Sequence, residues 1–441
     1  MGQAVAPAKK RRLENRRQAE NLPHTDLHYT SSLGANPLRK WSLVTLLGLG
    51  VIIAYIDRTN LAIALASPQF KEFFALSDTD RGLLNSVFFW SYTVLQIPAG
   101  LIVDRFGVKR PLAISFVLWC LVAAATSMAE AFWQLVALRL MLGVAESTLF
   151  PAGLAWLAKN VEERQRGLAA GIFVSGSKWG PAIASPLATW LILGYGWPTM
   201  FFLLGVGGLV WVIPWMLLAE PDHGVTSRAQ TSAAPPSMGA LFRTRAMWAT
   251  VIGTFCYNYF LFFSLTWLPA YLVESRNLTL SSMSIYTAFS FAGTAIVAIL
   301  SGAAADWIIR RGASAVNTRR WFTIAGLLAA STEVFGAMSE STDVAIFFAI
   351  FSMTGLGLAT ANYWAITQTL LPGVAAGRVA GIQNTALNLA GIVAPIITGW
   401  LKSVTGSYTA PMQTIWVVLI VGVAAYLFLA KENKPPLDNF A

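Results

Sequence analysis

Charge is scarce in this chain. Asp, Glu, Lys and Arg make up 12% of its 441 residues, about half the share of a soluble domain, and mean hydropathy is +0.58. A surface wetted on every side is excluded. Histidine is nearly missing: His24, His28 and His223 all fall in polar segments, so no imidazole is available inside an apolar run as a general base or metal ligand. Cys120 and Cys256 both lie in apolar runs, in different halves of the chain, and read as small hydrophobes rather than a disulfide or a metal pair. No GxGxxG occurs, so this phosphate-cradling loop is absent as well. A membrane enzyme would need a nucleophile–base pair or metal ligands at depth. Neither is found, and no cofactor or metal is called for.

What is abundant is apolar length. Runs of about 20 residues, enough to cross about 30 Å of hydrocarbon as helix, recur along the whole chain. Twelve are placed near 41–66, 82–103, 111–129, 132–157, 168–193, 198–218, 247–272, 283–308, 320–338, 344–369, 378–401 and 412–430. The chain thus reads as 1–40, a disordered basic tail; 41–218, six spans; 219–246, a Pro-, Ser- and Ala-rich linker; 247–430, six more spans; and 431–441, a second tail. With the N-terminus inside, the outer loops hold four of the 31 Lys and Arg (Lys71, Arg81, Arg276, Lys402), three lie within spans, and the other 24 are inside. Positive charge gathers on the cytoplasmic side, so both termini are expected there. The net charge of +10 then reflects topology and anionic lipid rather than nucleic acid.

The two sets of six resemble each other. "GLIVDRFGVKR" from Gly100 and "GAAADWIIRRG" from Gly302 both place an aspartate four residues after a glycine, with basic residues following. "GLAAGI" from Gly167 and "GRVAGI" from Gly377 match as well, and the copies lie 202 and 210 residues apart. The expected fold is an all-α polytopic membrane protein of twelve transmembrane helices in two pseudo-symmetric halves, the architecture of secondary transporters.

Five ionisable residues lie deep in spans: Asp57 and Arg58 in span one, Arg139 and Glu146 in span four, Lys178 in span five. An uncompensated charge at mid-bilayer costs at least ~2.5–3.5 kcal/mol. Asp57 and Arg58 diverge by about 100° on a helix and each wants a partner on another span. Arg139, Gly143 and Glu146 share one face, with Gly143 leaving room for a substrate or a crossing helix. A static charge network tying spans one and four together is one account. The other is that the five line a wet central chamber, where a carboxylate exchanges an arginine partner for a proton as an anion binds. Glu333 is placed toward the outer end of span nine, within reach of water.

The motif "GLIVDRFGVKR", with "IDRTNLAIA", "RLMLGVAES", "ERQRG", "WLPAYL" and "GRVAGIQNTALNLAG", resembles the anion:cation symporter family of the major facilitator superfamily, over residues ~41–430. The resemblance implies a proton-coupled symporter of an organic anion, a sugar acid such as an aldonate, aldarate or hexuronate. Glu146 and Asp57 match its coupling acids, and Arg58 and Arg139 match arginines that contact the anion or pair with those acids. Trp364 and Asn384 match positions facing substrate. Tyr92, Gln96, Tyr257 and Asn258 are further candidates from hydroxyls and amides within spans. Asp104, Arg105, Arg110 and Asp306 match the cytoplasmic gate, with the span-eleven segment near Gly377 and Arg378 as its expected partner. Ser177 and Lys178 stand where sugar-acid members have a glutamine; Lys178 either pairs with Asp57 or Glu146 or adds a second positive group for a dianion or an aromatic acid. The expected partners are therefore an organic anion, a proton and membrane lipid, with the chain acting as a monomer in the inner membrane. A uniporter or exchanger, a carrier of aromatic carboxylates or dicarboxylates, and a non-transporting sensor of the same fold remain alternatives.

Overall fold

The computed structural model describes residues 37–220, 237–371 and 375–430; most of both tails and of the linker lie outside them. Eleven described helices are long and apolar enough to cross a membrane. In chain order these are α1 (Pro37–Ala66), α2 (Asp78–Phe106), α3 (Lys109–Met128), α4 (Phe132–Asn160), a 56-residue helix over Glu163–Leu218, α7 (Arg245–Thr266), α8 (Leu280–Arg310), α9 (Ala315–Met338), α10 (Thr342–Leu370), α11 (Gly377–Thr405) and α12 (Thr409–Phe428). As one rod the 56-residue helix would be about 84 Å long. It is interrupted at Gly196, whose φ of 82° and ψ of 164° suit a residue without a Cβ. Ile172 lies against Gly48 and Gly180 against Tyr55, so the first part runs parallel to α1. Beyond the glycine, Trp197 packs on Phe70 and the Trp211 indole donates to the Leu46 carbonyl at 2.6 Å, so the second part runs back. We number these parts α5 (163–195) and α6 (197–218), giving twelve spans. The sequence reading ended the first tail at residue 40, but 37–40 already belong to α1.

The helix pairings repeat with an offset of six. α1 packs on α5 and α7 on α11; α2 on α4 and α8 on α10; α3 on α6 and α9 on α12. The two halves meet along α2–α11 and α5–α8. Small residues permit the close crossings. A Cβ on Gly143 would stand 2.3 Å from the Phe88 carbonyl oxygen, and one on Gly357 2.7 Å from that of Thr294. The room at Gly143 is thus taken by α2, whose Ser91 also donates to the Leu140 carbonyl at 2.7 Å.

Prolines place two breaks that matter below. Pro151 cannot donate to the Ser147 carbonyl and crowds it, and α4 is interrupted at Ser147–Thr148, leaving Glu146 as the last residue of its first segment. Pro269 acts likewise at Trp267, after which Leu268–Glu274 continues α7 as a short helix.

Candidate functional site

Four of the five deep charges, Asp57, Arg58, Arg139 and Glu146, come together where α1 and α4 meet in the first half. The Arg58 guanidinium grips one oxygen of Glu146, Nε at 2.9 Å and Nη2 at 2.8 Å. It also lies over the rings of Tyr55, Phe88 and Tyr92 at 4.7, 4.6 and 4.7 Å, a stack available to a planar guanidinium and not to an ammonium. Arg139 donates to the main-chain carbonyl of Asp57 at 3.2 Å rather than to its carboxylate. Asp57 and Arg58 do turn to different neighbours, as adjacent helical residues must.

The cluster is dry. Glu146 is 0% and Asp57 1% exposed. A cavity of about 10 Å³, walled in part by Arg58 and Arg139, has room for about one water molecule. The wide chamber expected from the sequence is therefore not what surrounds these residues: α2 and its aromatic rings fill that space. One oxygen of each acid, Glu146 Oε1 and Asp57 Oδ2, is buried with no hydrogen-bond partner among the described residues.

Lys178 is also buried, but it points across the seam, its Nζ 5.9 Å from the Tyr257 ring of the second half. No carboxylate lies within 4 Å of it among the described residues, so it pairs with neither Asp57 nor Glu146. Tyr257 stacks on Tyr363 at 4.4 Å and shares a 2.7 Å hydrogen bond with Thr360; Trp364 lies 5.7 Å from Tyr363. Ser177 is buried beside Lys178. Asn258 spends its amide on the Thr254 carbonyl of its own helix. Asn384 donates to Gln96, joining α11 to α2. Glu333 is 3% exposed and accepts from Ser352; expected to reach water, it is instead enclosed between α9 and α10.

Among the described residues the seam is tight at one end only. At the end away from the termini, the far end, a Cβ on Gly82 would stand 2.6 Å from the Pro395 oxygen and one on Gly399 2.5 Å from that of Asp78. At the near end Gly100, Gly377 and Gly381 have nothing within 4 Å of such an atom. Asp104, Arg105 and Arg110 are exposed there, and Asp306 pairs within its own half with Arg319 at 3.2 Å.

The far end also carries a charge cluster that the sequence reading left unassigned. Glu274 receives Lys71 at 2.8 Å, Arg81 at 2.9 Å and Lys402 at 2.7 Å, with the Tyr408 hydroxyl at 2.9 Å. Asp78 takes Arg81 and Lys402, each at 2.8 Å. Lys71, Asp78 and Arg81 belong to the first half, the others to the second, so the cluster latches the two. The available signal was that three of the four far-side basic residues belong to it.

Burial pushes the Glu274 carboxyl up, but Arg81, Lys402 and Lys71 outweigh this and hold it at about 2, below the ordinary 4.5. A depressed acid stabilises the closed latch above the ordinary value and loses that contribution only as pH falls toward 2. The latch is therefore constant from pH 5 to 8. Replacing Glu274 by Gln is expected to cost it about 1–2 kcal/mol, a factor of about 5–30 in the closed-to-open ratio. Thr79 and Ser403, 3.3 Å apart across the seam and exposed, report on this as a cysteine pair. The rate at which this pair, before oxidation, opens to a thiol reagent tracks the open fraction and should rise by about that factor in Glu274→Gln, and an unchanged rate would show the latch carries no load. The native cysteines are buried and give little background.

A twelve-helix bundle of two pairing-equivalent halves, closed at one end and charged at its centre, defines a membrane carrier by its architecture. The model for the Major Facilitator Superfamily matches residues 47–395, and the chain belongs to that superfamily; it is a multi-pass membrane protein. It is similar to a probable L-galactonate transporter of Escherichia coli K12, 29% identical over 89% of this chain and 90% of the relative. A probable sulfoacetate transporter of Cupriavidus necator is 31% identical over 86% and 90%, and the hexuronate transporter of Bacillus subtilis 168 is 28% identical over 89% and 93%. Among solved structures, a bacterial homologue of the human lysosomal transporter Spinster, inward-facing and unoccupied, superposes with a TM-score of 0.75 at 17% identity, over 90% of this chain and 97% of that one.

Proposed function

We propose that the protein is a proton-coupled symporter of an organic anion in a bacterial inner membrane, with its near end and both termini in the cytoplasm. The relatives above are named as transporters, two of them probable, of sugar acids and a sulfonate, which supports the anion. The observation that carries the proton is Glu146: fully buried, one oxygen held by Arg58, the other without a partner. A buried acceptor left unmet costs free energy, and a proton on that carboxyl removes the charge and loosens its hold on Arg58 together. An anion then takes over the guanidinium. Arg58 cannot serve an ionised Glu146 and a substrate at once, and this competition links the two ligands. Asp57, with its own unpartnered oxygen, is a second protonation site. Arg139 holds the α1 backbone beside it, and Tyr92 and Ser177 border the anion in the first half. Tyr257, Asn258, Trp364 and Asn384 form the facing wall, and Gln96 of the first half meets it through Asn384.

The tight far end and loose near end make this an inward-facing state. Asp104, Arg105 and Arg110 would engage across the seam only when the near end closes, with α11 near Gly377 as their partner, and Asp306 would then face the first half. Proteoliposomes containing the protein, acid outside by one pH unit, should accumulate a transported aldonate, hexuronate or sulfonate up to about tenfold per coupled proton. Equilibration without accumulation would make the protein a uniporter.

A further inference from the structure

Resting on that reading, we infer that the substrate is a compact dianion, one acid group on Arg58 and the other on Lys178, carried with a single proton. The buried mid-span charges of the first half are three cations, Arg58, Arg139 and Lys178, against two carboxylates, Asp57 and Glu146; the buried Glu333 belongs to the second half, where Ser352 donates to it. One positive charge is left over, and geometry places it on Lys178. Arg58 has Glu146, and Arg139 sits against the Asp57 backbone. Lys178 is 7% exposed with no carboxylate in reach among the described residues.

Its direction is set by its neighbours. Gly176 and Gly180 press on α1, and a residue two positions from each is turned about 200° away on a helix. Lys178 therefore leaves the α1 face and aims at Tyr257. Tyr55 lies under Arg58 and packs on α5 at Gly180, two residues from Lys178. Two buried positive groups on neighbouring helices suit a molecule with two acid groups.

Charge balance separates this from a single-acid substrate. An isolated charge inside a membrane protein is costly to enclose. A monoanion arriving with a proton leaves the surplus as it was, whereas a dianion with one proton brings net −1 and cancels it. A relative named as a probable sulfoacetate transporter supports a small molecule with two acid groups as a substrate.

The test uses purified full-length protein and matched pairs at one pH: a six-carbon aldonate against the aldarate of the same sugar, and acetate against sulfoacetate. Calorimetric Kd values should favour the two-acid member of at least one pair by about tenfold or more. Lys178→Gln should bring that ratio to within about twofold of unity, and Lys178→Arg should keep it. Equal or tighter binding of the single-acid members overturns the dianion while sparing the anion–proton reading. A ratio that Lys178→Gln leaves intact removes Lys178 from the site. Binding of none of the four anions, with no proton-driven uptake of any, ends both.

Discussion

Glu146→Gln is expected to bring uphill transport to an end while leaving exchange. Glutamine keeps the shape of the side chain and an oxygen for Arg58, but carries no titratable proton. With one pH unit imposed, the wild type should concentrate substrate up to about tenfold per proton, and the variant should stop at equal concentrations on both sides. Counterflow of labelled against unlabelled anion should continue, because an uncharged residue no longer competes for Arg58. For the same reason the variant's Kd should change less between pH 5 and 8 than that of the wild type, whose anion binding weakens as protons become scarce. The far-end latch does not confuse this profile, since Glu274 stays ionised throughout that range. Removing one partner of a buried pair costs about 3–5 kcal/mol, so a lower Tm accompanies the change. Accumulation that survives in a folded Glu146→Gln protein would remove Glu146 from coupling.

Arg58→Ala should lose the anion altogether. The guanidinium makes two contacts with Glu146 and lies over three rings. Alanine leaves both the substrate acid and, until it is protonated, Glu146 without a countercharge. Truncating such a group costs about 2–5 kcal/mol, which raises Kd at least about thirtyfold. Arg58→Lys should fall between, keeping the charge but losing the fork and the stacking. Calorimetry on monodisperse variants reads both, and near-normal affinity in Arg58→Ala would refute its role.

Much of this was legible before any coordinates. Apolar runs gave twelve spans because lipid demands helices of that length. The spacing of Gly100–Asp104 and Gly302–Asp306 announced the repeat that helix pairing then displays. Placing Arg58 and Glu146 on different spans anticipated two residues that now touch. The rest required three dimensions. Lys71, Arg81 and Lys402 read as loop charges marking topology, because nothing in one dimension brings them to Glu274 from the α1–α2 and α11–α12 ends. Whether Gly143 opened a chamber or admitted a helix depended on where α2 crosses. Glu333 was misjudged because its partner, Ser352, lies on another span.

The uneven seam has a mechanical consequence. Gly82 and Gly399 already touch the opposite half, while Gly100, Gly377 and Gly381 face open space at the other extremity. Between them sits the Asn384–Gln96 bridge. Arranged this way, the halves form a seesaw with its fulcrum at two amides. Pressing the near-end glycines together would part the far-end ones, so each half can tilt as a rigid body and neither needs to bend.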